Sequence, residues 1–463
     1  MNRIAISGLL ALAAVLGGAA APATAVAQPT SGVRPGGAVS ATGVSTVAGV
    51  AGVAAAAGAG AGAAMRAGAE AADAESGGGS PNISCVLASD CLAVRGSSSL
   101  SGVGTYTPTR VERWNGSSWE RVGVTLPARA TSVDLNGVSC RGARFCLVVG
   151  DYYKSTKGSS PSAPLALIYN GTSAKPISAM PLPAGQPNVT LSGVSCATTR
   201  NCVAVGLANG NPAGLNQYSD GISFIETWNG ARWTLHTIAS SARTVVAPSA
   251  VSCATSSFCV LMGEATSISD GYVTVGLYLG WWNGGRLTRM RAAATGGAAS
   301  MVEPSGVSCA TPADCAADGI VVGDAGDAGG AGGGTLSIKG FTQVWNGRAW
   351  QSARTTWPKG VAESFLWDVS CYGAHSCEAV GLDAAQTDSP PTDAAAVSYR
   401  GDVGQVQAVP KPSKGRSTSF AAVSCAPSGG CVAIGDTGNN TAVSPALMTG
   451  VWNGRTWRLE PGF

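Results

Sequence analysis

Seven short cysteine pairs constrain the fold of this chain more than any other feature of its sequence. All 14 cysteines fall into pairs with five residues between the two members: Cys85 with Cys91, Cys140 with Cys146, Cys196 with Cys202, Cys253 with Cys259, Cys309 with Cys315, Cys371 with Cys377, and Cys425 with Cys431. Structural zinc sites favour two to four residues between paired cysteines, and the chain contains only two histidines. We therefore expect seven disulfides, each closing a short hairpin, and we expect no metal and no cofactor.

A second motif alternates with the cysteine pairs. It reads Trp-Asn-Gly-x-x-Trp at Trp114–Trp119, Trp228–Trp233, Trp345–Trp350 and Trp452–Trp457, and the other three repeats keep only part of it. Successive first cysteines lie 54 to 62 residues apart, so the chain contains seven repeats. Each repeat reads as four short strands, the second beginning at the second cysteine, with Asn-Gly as a tight turn between the third and the fourth. Such a sheet cannot bury both faces alone, whereas seven arranged radially can. The prediction is an all-β, seven-bladed β-propeller of four-stranded antiparallel blades.

A linear solenoid is the competing architecture, and it would need atypical capping units at its ends. The first and last repeats here are as complete as the middle ones, which favours a closed ring. Whether closure exchanges a strand between the first and last blades stays open at this point.

The residues before the repeats predict export from the cell. Residues 1–27 read as a signal peptide, with a basic start, an apolar run and an Ala25-Val26-Ala27 cleavage site. Residues 28–80 form an Ala/Gly-rich low-complexity linker, and 81–463 form the propeller. The uncharged stretch 44–65 leaves a retained membrane anchor as the alternative, although its Ala and Gly content disfavours one. We expect a secreted, extracellular protein, with cell-wall association as a further option.

Strand alternation predicts two different faces for the ring. The cysteine hairpins and Asn-Gly turns, nearly uniform in length, emerge on one side, the uniform face. The other connections vary in length and emerge on the variable face, where binding residues tend to lie. Its loops hold the candidate binding residues, each of which has ordinary solvation or turn capping as its alternative: Asp151, Tyr152, Tyr153, Tyr218, Asp220, Asp270, Tyr272, Asp324, Asp383 and Asp436. For the repeated tryptophans, packing between blades is favoured over a platform for sugar rings.

The catalytic inventory is poor. His236 falls on a predicted fourth strand and His375 inside a cysteine hairpin, so no Ser/His/Asp site can be assembled. Glu363, Asp368 and Glu378 cluster in the sixth repeat. Because the separation of two carboxylates depends on the three-dimensional structure, glycoside cleavage stays open.

The unit Val-Ser-Cys-x5-Cys-x-Ala-Val-Gly followed by Trp-Asn-Gly-x-x-Trp resembles repeats in secreted, largely uncharacterised actinobacterial β-propeller proteins. More distantly, the units are similar to kelch repeats and to sialidase-type Asp-box propellers, which carry a motif at the same turn. The Asp-box signature itself is absent, and so is a convincing sialidase set of arginines with a tyrosine–glutamate pair. The resemblance therefore implies a propeller and no sialidase activity.

Together these features favour a non-enzymatic extracellular binding module for a glycan or a protein. The alternative is a polysaccharide-active hydrolase or lyase that uses loop carboxylates and tyrosines, so enzymatic activity is left uncertain. A net charge of +3 without a run of Lys or Arg argues against nucleic acid as a partner. We expect a monomer without a membrane anchor.

Overall fold

A computed structural model describes residues 81–95, 98–99, 106–107, 109–154, 161–209, 221–240, 244–269, 272–295, 301–324, 336–385, 392–412, 416–438 and 446–462. The predicted signal peptide and linker, residues 1–80, lie outside these ranges. Among the residues that are described, no helix has the length and apolar character needed to span a bilayer.

The described chain forms seven antiparallel blades, as the repeats predict. The first contains β1 (Asn82–Leu87), β2 (Asp90–Arg95), β5 (Arg110–Trp114) and β6 (Trp119–Arg121), and β3 (Ser98–Ser99) pairs with β4 (Tyr106–Thr107) in the loop between β2 and β5. The second has β7 (Gly123–Val124), β8 (Ser132–Cys140), β9 (Cys146–Tyr153), β10 (Ser162–Tyr169) and β11 (Ser173–Pro176). The third has β12 (Asn188–Thr198), β13 (Asn201–Asn209), β14 (Ile222–Trp228) and β15 (Trp233–Thr237).

The remaining four blades repeat this order. The fourth has β16 (Thr244–Thr255), β17 (Phe258–Ser269), β18 (Tyr272–Trp282) and β19 (Leu287–Met290), and the fifth has β20 (Met301–Thr311), β21 (Asp314–Asp324), β22 (Leu336–Trp345) and β23 (Trp350–Ser352). The sixth has β24 (Arg354–Thr356), β25 (Val361–Gly373), β26 (Ser376–Ala385), β27 (Asp393–Arg400) and β28 (Val403–Gln407). The seventh has β29 (Ser417–Cys425), β30 (Cys431–Gly438), β31 (Ala446–Trp452) and β32 (Trp457–Pro461).

The ring closes without exchange of a strand. All four strands of blade 1 come from the start of the described chain and all four of blade 7 from its end, which answers the question that the sequence left open. Two blades gain a short fifth strand on the outer edge, because β7 pairs in parallel with β11 and β24 pairs in parallel with β28. In both cases the connection leaving one blade joins the sheet of the next.

All seven predicted disulfides are formed. Each joins directly opposed residues of the first and second strands of one blade: Cys85 to Cys91, Cys140 to Cys146, Cys196 to Cys202, Cys253 to Cys259, Cys309 to Cys315, Cys371 to Cys377, and Cys425 to Cys431. The second cysteine of every pair is buried. The described part of the chain contains no free cysteine.

The start of the second strand differs from the prediction in five blades. It begins at the second cysteine only in blades 2 and 7, at Cys146 and Cys431. In the other five blades it begins one residue earlier, so that the second cysteine is the second residue of the strand: Cys91, Cys202, Cys259, Cys315 and Cys377. The reason is one further pair of residues between the disulfide and the turn, as between Thr198 and Asn201.

A ladder of serine hydroxyls links each blade to the next around the axis. The Val-Ser-Cys end of each first strand supplies it: the Ser84 Oγ accepts a hydrogen bond of 2.9 Å from the Cys140 backbone N–H of the following blade. The same bond recurs at every blade junction, including the closing one, where the Cys85 N–H donates to the Ser424 Oγ at 2.8 Å. The repeated serine therefore has a structural role that every repeat needs.

In blades 2 to 7 the residue four positions after the second cysteine is a glycine, and the reason is steric. In blades 2 to 7 a bulge interrupts the pairing of the first strand with the second. The bulge brings a first-strand carbonyl against the second strand, and a Cβ at Gly150 would overlap the Asp134 carbonyl oxygen. Gly206 meets the Thr190 carbonyl in the same way. Only glycine leaves room for this close approach.

The cysteine hairpins lie beside the Asn-Gly turns, since the Trp114 Nε1–H donates to the Ala88 carbonyl oxygen at 3.1 Å. The tryptophans pack as expected: Trp114 and Trp228 are buried, and the rings of Trp228 and Trp233 lie 5.2 Å apart. The apolar clusters fill the space between neighbouring blades, including that between blades 7 and 1.

Candidate functional site: the axial channel

The first strands of all seven blades enclose a cavity of about 630 Å³ on the axis of the ring. It extends from Ser132 and Tyr153, at the variable face, to the serine ladder near the uniform face. Its volume falls within the range of about 300 to 1,000 Å³ that small-molecule sites usually occupy. The channel is therefore the candidate functional site.

In blades 2 to 7 the bulge places one residue on the wall of this channel, four positions before the first cysteine, and in blade 1 the residue just before β1 takes the same place. This ring consists of Pro81, Asn136, Ser192, Ser249, Ser305, Trp367 and Ala421. Five of the seven are Pro, Ser or Ala. Asn136 and Trp367 are therefore the two members with a larger side chain, an amide and an aromatic ring. Trp367 packs against Phe365 with ring centroids 5.3 Å apart. The sevenfold repeat is thus broken at two points of the channel.

Blade 2 supplies a polar cluster to the variable end of the channel. Asp134 and Asp151 lie opposite each other on β8 and β9, and Tyr153 follows at the end of β9. The Asn136 amide donates to the Asp151 carboxylate at 3.2 Å and to the Leu191 carbonyl oxygen at 2.9 Å. Burial, together with the charge of Asp134, raises the pKa of Asp151 well above its usual range, despite the bond from Asn136. The cluster can donate and accept hydrogen bonds.

A second pair of acids lies at the junction of blades 5 and 6. The Asp318 carboxylate accepts the Gly306 N–H at 2.8 Å, while the Asp368 carboxylate accepts the Val423 N–H of blade 7 at 2.8 Å. A Cβ at Gly306 would lie 2.9 Å from the Asp318 Oδ1 and 2.8 Å from the Asp368 Oδ1, so both carboxylates face this glycine. Burial raises the pKa of Asp368 to about 7, and burial and the Asp368 charge raise the pKa of Asp318 well above normal. The pair can hold a proton at neutral pH.

A third pair joins blades 4 and 5. Burial raises the pKa of Glu264 to about 7, with a smaller contribution from the Glu303 charge. Burial likewise raises the pKa of Glu303 to about 7. Glu303 stands at the same place in its first strand as Asp134, and Glu264 at the same place in its second strand as Asp151. Carboxyl groups therefore recur in one layer near the variable face.

The structure places the candidates from the sequence in different settings. Asp151 and Asp436 are buried within β9 and β30 rather than carried by loops, because these strands extend further than expected. Tyr152 is half-buried at the end of β9. Tyr218, Asp220 and Asp270 lie outside the described residues, and Tyr272 and Asp324 are terminal residues of β18 and β21.

Asp383 lies near the end of β26, an inner strand of blade 6, apart from the channel lining. It pairs with Asp393, whose carboxylate forms an ion pair of 2.5 Å with Lys411. Burial, and then the charge of Asp393, raises the pKa of Asp383 to about 6. Of the candidates from the sequence, the channel therefore brings together only Asp151 and Tyr153. Whether any of the ten binds a ligand stays a prediction.

Asp318 departs from the repeat in a way that is visible in the sequence. Three residues after the second cysteine, the other six repeats carry an aliphatic residue or methionine: Val94, Val149, Val205, Met262, Val380 and Ile434. Asp318 alone is acidic there. Asp368 similarly stands where five other repeats have Gly or Ala. Asp368 was already a candidate from the acidic cluster of the sixth repeat, and alignment of the repeats would have identified Asp318 as well.

Neither histidine lies in the channel lining. His236 is on β15, where its Nε2 lies 3.3 Å from the Thr227 hydroxyl. The His375 Nδ1 contacts Asp314 at 2.7 Å between the cysteine hairpins of blades 5 and 6. Among the described residues, no group of three or more His, Cys, Asp or Glu side chains is arranged to hold a metal ion.

No protein-family model matches the chain, and no curated protein matches its sequence. Similar solved structures include the Penicillium chrysogenum α-L-arabinanase complexed with arabinobiose, with a TM-score of 0.40, 10% identity and coverage of 69% of this chain and 93% of that one. The β-propeller domain of the Trilobed protease from Pyrococcus furiosus has a TM-score of 0.46, 8% identity and coverage of 82% and 96%. The Fusarium graminearum α-L-arabinofuranosidase with arabinobiose has a TM-score of 0.38, 9% identity and coverage of 82% and 93%. The propeller assignment rests on this chain's own strand order.

Proposed function

We propose that the protein is an extracellular binding module that takes a glycan segment into the variable end of its axial channel. The observation that carries this proposal is the polar wall of the channel, with aromatic side chains set into it. Hydroxyl, amide and carboxyl groups of blade 2 supply donors and acceptors for sugar hydroxyls, while Trp367 and Tyr153 supply aromatic surface. The seven disulfides support an oxidising, extracellular setting.

A glycan fits this wall better than an apolar ligand does. Serine and threonine hydroxyls recur around the channel, as at Ser132, Thr190 and Ser192. These hydroxyls are half-buried, so a ligand without hydrogen-bonding groups would displace water from them and replace none of its hydrogen bonds. The channel therefore selects for hydrogen-bonding ligands.

The test is retention on a polysaccharide array. Trp367→Ala should weaken the binding of a retained glycan by at least about tenfold, because central aromatic residues contribute a large share of binding energy. Trp367→Phe should keep most of the affinity and serves as a check on folding. Asn136→Ala should also weaken binding, since it removes donors from the wall.

Trp281→Ala is the matched control. Trp281 is 36% exposed on blade 4, lies outside the channel lining, and donates its Nε1–H to the Ser257 carbonyl oxygen. Its loss should leave glycan affinity unchanged. Affinity that survives both Trp367→Ala and Asn136→Ala, or that falls equally in Trp281→Ala, would exclude the channel as the binding site.

A hydrolase or lyase is the second candidate, because carboxyl groups with raised pKa values can act as general acids near neutral pH. Asp368 lines the channel and Asp151 lies at its variable end. The same array, scored for new reducing or unsaturated ends, separates the two functions. Retention without turnover supports a binding module, whereas turnover abolished by Asp151→Asn or Asp368→Asn supports an enzyme. Asp270→Asn tests the loop candidate in the same assay.

A further inference from the structure

The uniform face carries arginines that no channel function uses. Arg232, Arg286, Arg348 and Arg455 occupy the Asn-Gly turns of four blades, and all are exposed. In blade 3 the Asn229 Oδ1 accepts the backbone N–H groups of Ala231 and Arg232 at 3.0 and 2.9 Å. The other three turns have the same pair of bonds. Each turn therefore holds the backbone of its arginine in place.

Two cysteine hairpins add exposed arginines, one beside the arginine-bearing turn of blade 3 and one beside the turn of blade 2. A Cβ at Gly230 would lie 2.7 Å from the Arg200 Cγ, so the Arg200 stem packs against the turn that carries Arg232. Arg144 packs against the Gly171 turn of blade 2 in the same manner, because a Cβ at Gly171 would lie 2.9 Å from the Arg144 Cγ. Blade 3 thus presents two guanidinium groups from adjoining loops.

These cations have no acidic partners in the described part of the chain. The acids of the same hairpins and turns are engaged elsewhere: Asp90 with Arg113, Asp314 with His375, and Asp402 with Arg354. None of the exposed arginines of blades 2 to 5 takes part in an ion pair among the described residues. We call this set the arginine arc: Arg144, Arg200, Arg232, Arg286 and Arg348.

We propose that the arginine arc is a docking surface for a polyanionic polymer that bears phosphate or carboxylate groups along its chain. Guanidinium groups match both oxyanions through paired hydrogen bonds. The arc follows four consecutive blades, so several groups of one flexible polymer can bind at once, and their effects multiply. The acids of the channel lie toward the other face, so the two binding surfaces are separate.

A chain-like polyanion fits this surface better than an anionic bilayer does. Interfacial binding to a membrane combines cationic groups with apolar side chains that enter the lipid. The exposed Leu87 and Val403 lie in blades 1 and 6, outside the arc. Trp281 lies in one of the blades that carry the arc, but its side chain is held by a hydrogen bond to the Ser257 carbonyl oxygen and by contact with Phe258, at 6.0 Å between ring centroids.

The experiment measures binding of the full protein to labelled polyphosphate and polygalacturonate, with dextran as the neutral control, at low and high salt. Binding to at least one polyanion, none to dextran, and a steep loss with salt are expected. The double variant that combines Arg200→Ser with Arg232→Ser should weaken binding about tenfold. The preferred polymer shows whether phosphate or carboxylate is the better ligand.

The matched control combines Lys154→Ser with Lys359→Ser. It also removes two positive charges, but from exposed positions on the variable face. Its affinity should stay within about twofold of the parent protein. If the two double variants weakened polymer binding equally, the effect would depend on net charge alone, and the proposal would be overturned. So would failure to bind either polyanion, or tighter binding to vesicles of anionic lipid than to the polymers.

Discussion

Glu226 shows how a single residue can oppose the packing of its blade. Its side chain is fully buried on β14, and neither carboxylate oxygen has a hydrogen-bond partner among the described residues. Burial raises its pKa to about 8. Blade 5 has Gln343 at the equivalent position, where the amide donates to the Ala293 carbonyl oxygen at 2.8 Å and accepts the Ala293 N–H at 2.9 Å. A neutral side chain therefore suits this position.

We expect Glu226→Gln to stabilise the protein above pH 8 by about 1 to 3 kcal/mol, because an amide does not ionise. The gain should shrink toward about pH 5, where the parent carboxyl is also neutral in the folded state. Urea unfolding at both pH values measures it. Glu112→Gln is the control, since Glu112 occupies the same position in blade 1 but has Arg110 at 3.7 Å. A gain in Glu112→Gln, or a loss in Glu226→Gln, would contradict this account.

Individual residues were harder to predict than the repeats that contain them. The cysteine pairs and tryptophans could be assigned because every repeat needs them for hairpin closure and packing. Asp318 and Trp367 were missed because motif searches look for what recurs, whereas these residues depart from the repeat. Asp318 faces Asp368 because the second strand of blade 5 packs against the first strand of blade 6. No local pattern contains that information.

At the scale of one strand, the Val-Ser-Cys motif predicts how blades hold together. The Ser195 Oγ accepts the Cys253 N–H at 2.9 Å in a buried position. Ser195→Ala should lower the free energy of unfolding by about 1 to 3 kcal/mol, because it leaves a buried N–H unpaired. Ser192→Ala, on the same strand at the channel bulge, should cost much less. Equal losses in denaturant unfolding would show that the ladder is not what stabilises the junction.

The strands and tight turns were predictable from alternation and from Asn-Gly, but the bulges were not. The bulge adds one residue to the first strand of a blade. Its only sign in the sequence is in the second strand, where Cys-x-x-x-Gly provides the glycine that the bulge requires. Blade 1 carries Arg95 at that position, and its first strand begins only at Asn82. The parallel strands β7 and β24 were missed because two or three residues carry no periodicity.

For the whole molecule, the sequence predicted a closed ring and an asymmetry between its faces. It did not predict that so many acids would be buried. The carboxyl groups whose pKa values burial raises to about 7 or higher, or well above normal, belong to Asp151, Glu226, Glu264, Glu303, Asp318, Asp368 and Glu378. They come from blades 2 to 6, so the effect is distributed around most of the ring.

This burial sets the direction in which pH changes stability. Above about pH 4.5 the unfolded chain has lost these protons, whereas in the folded ring most of these groups keep theirs until about pH 7, and Glu226 until about pH 8. The folded state then binds more protons, so the free energy of unfolding should fall as the pH rises. Urea unfolding at about pH 5, 6.5 and 8, with the disulfides intact, measures the slope. Asp318→Asn should flatten it, because the amide cannot ionise. Stability that instead rises from pH 5 to pH 8 would mean that these carboxyl groups ionise freely within the folded ring.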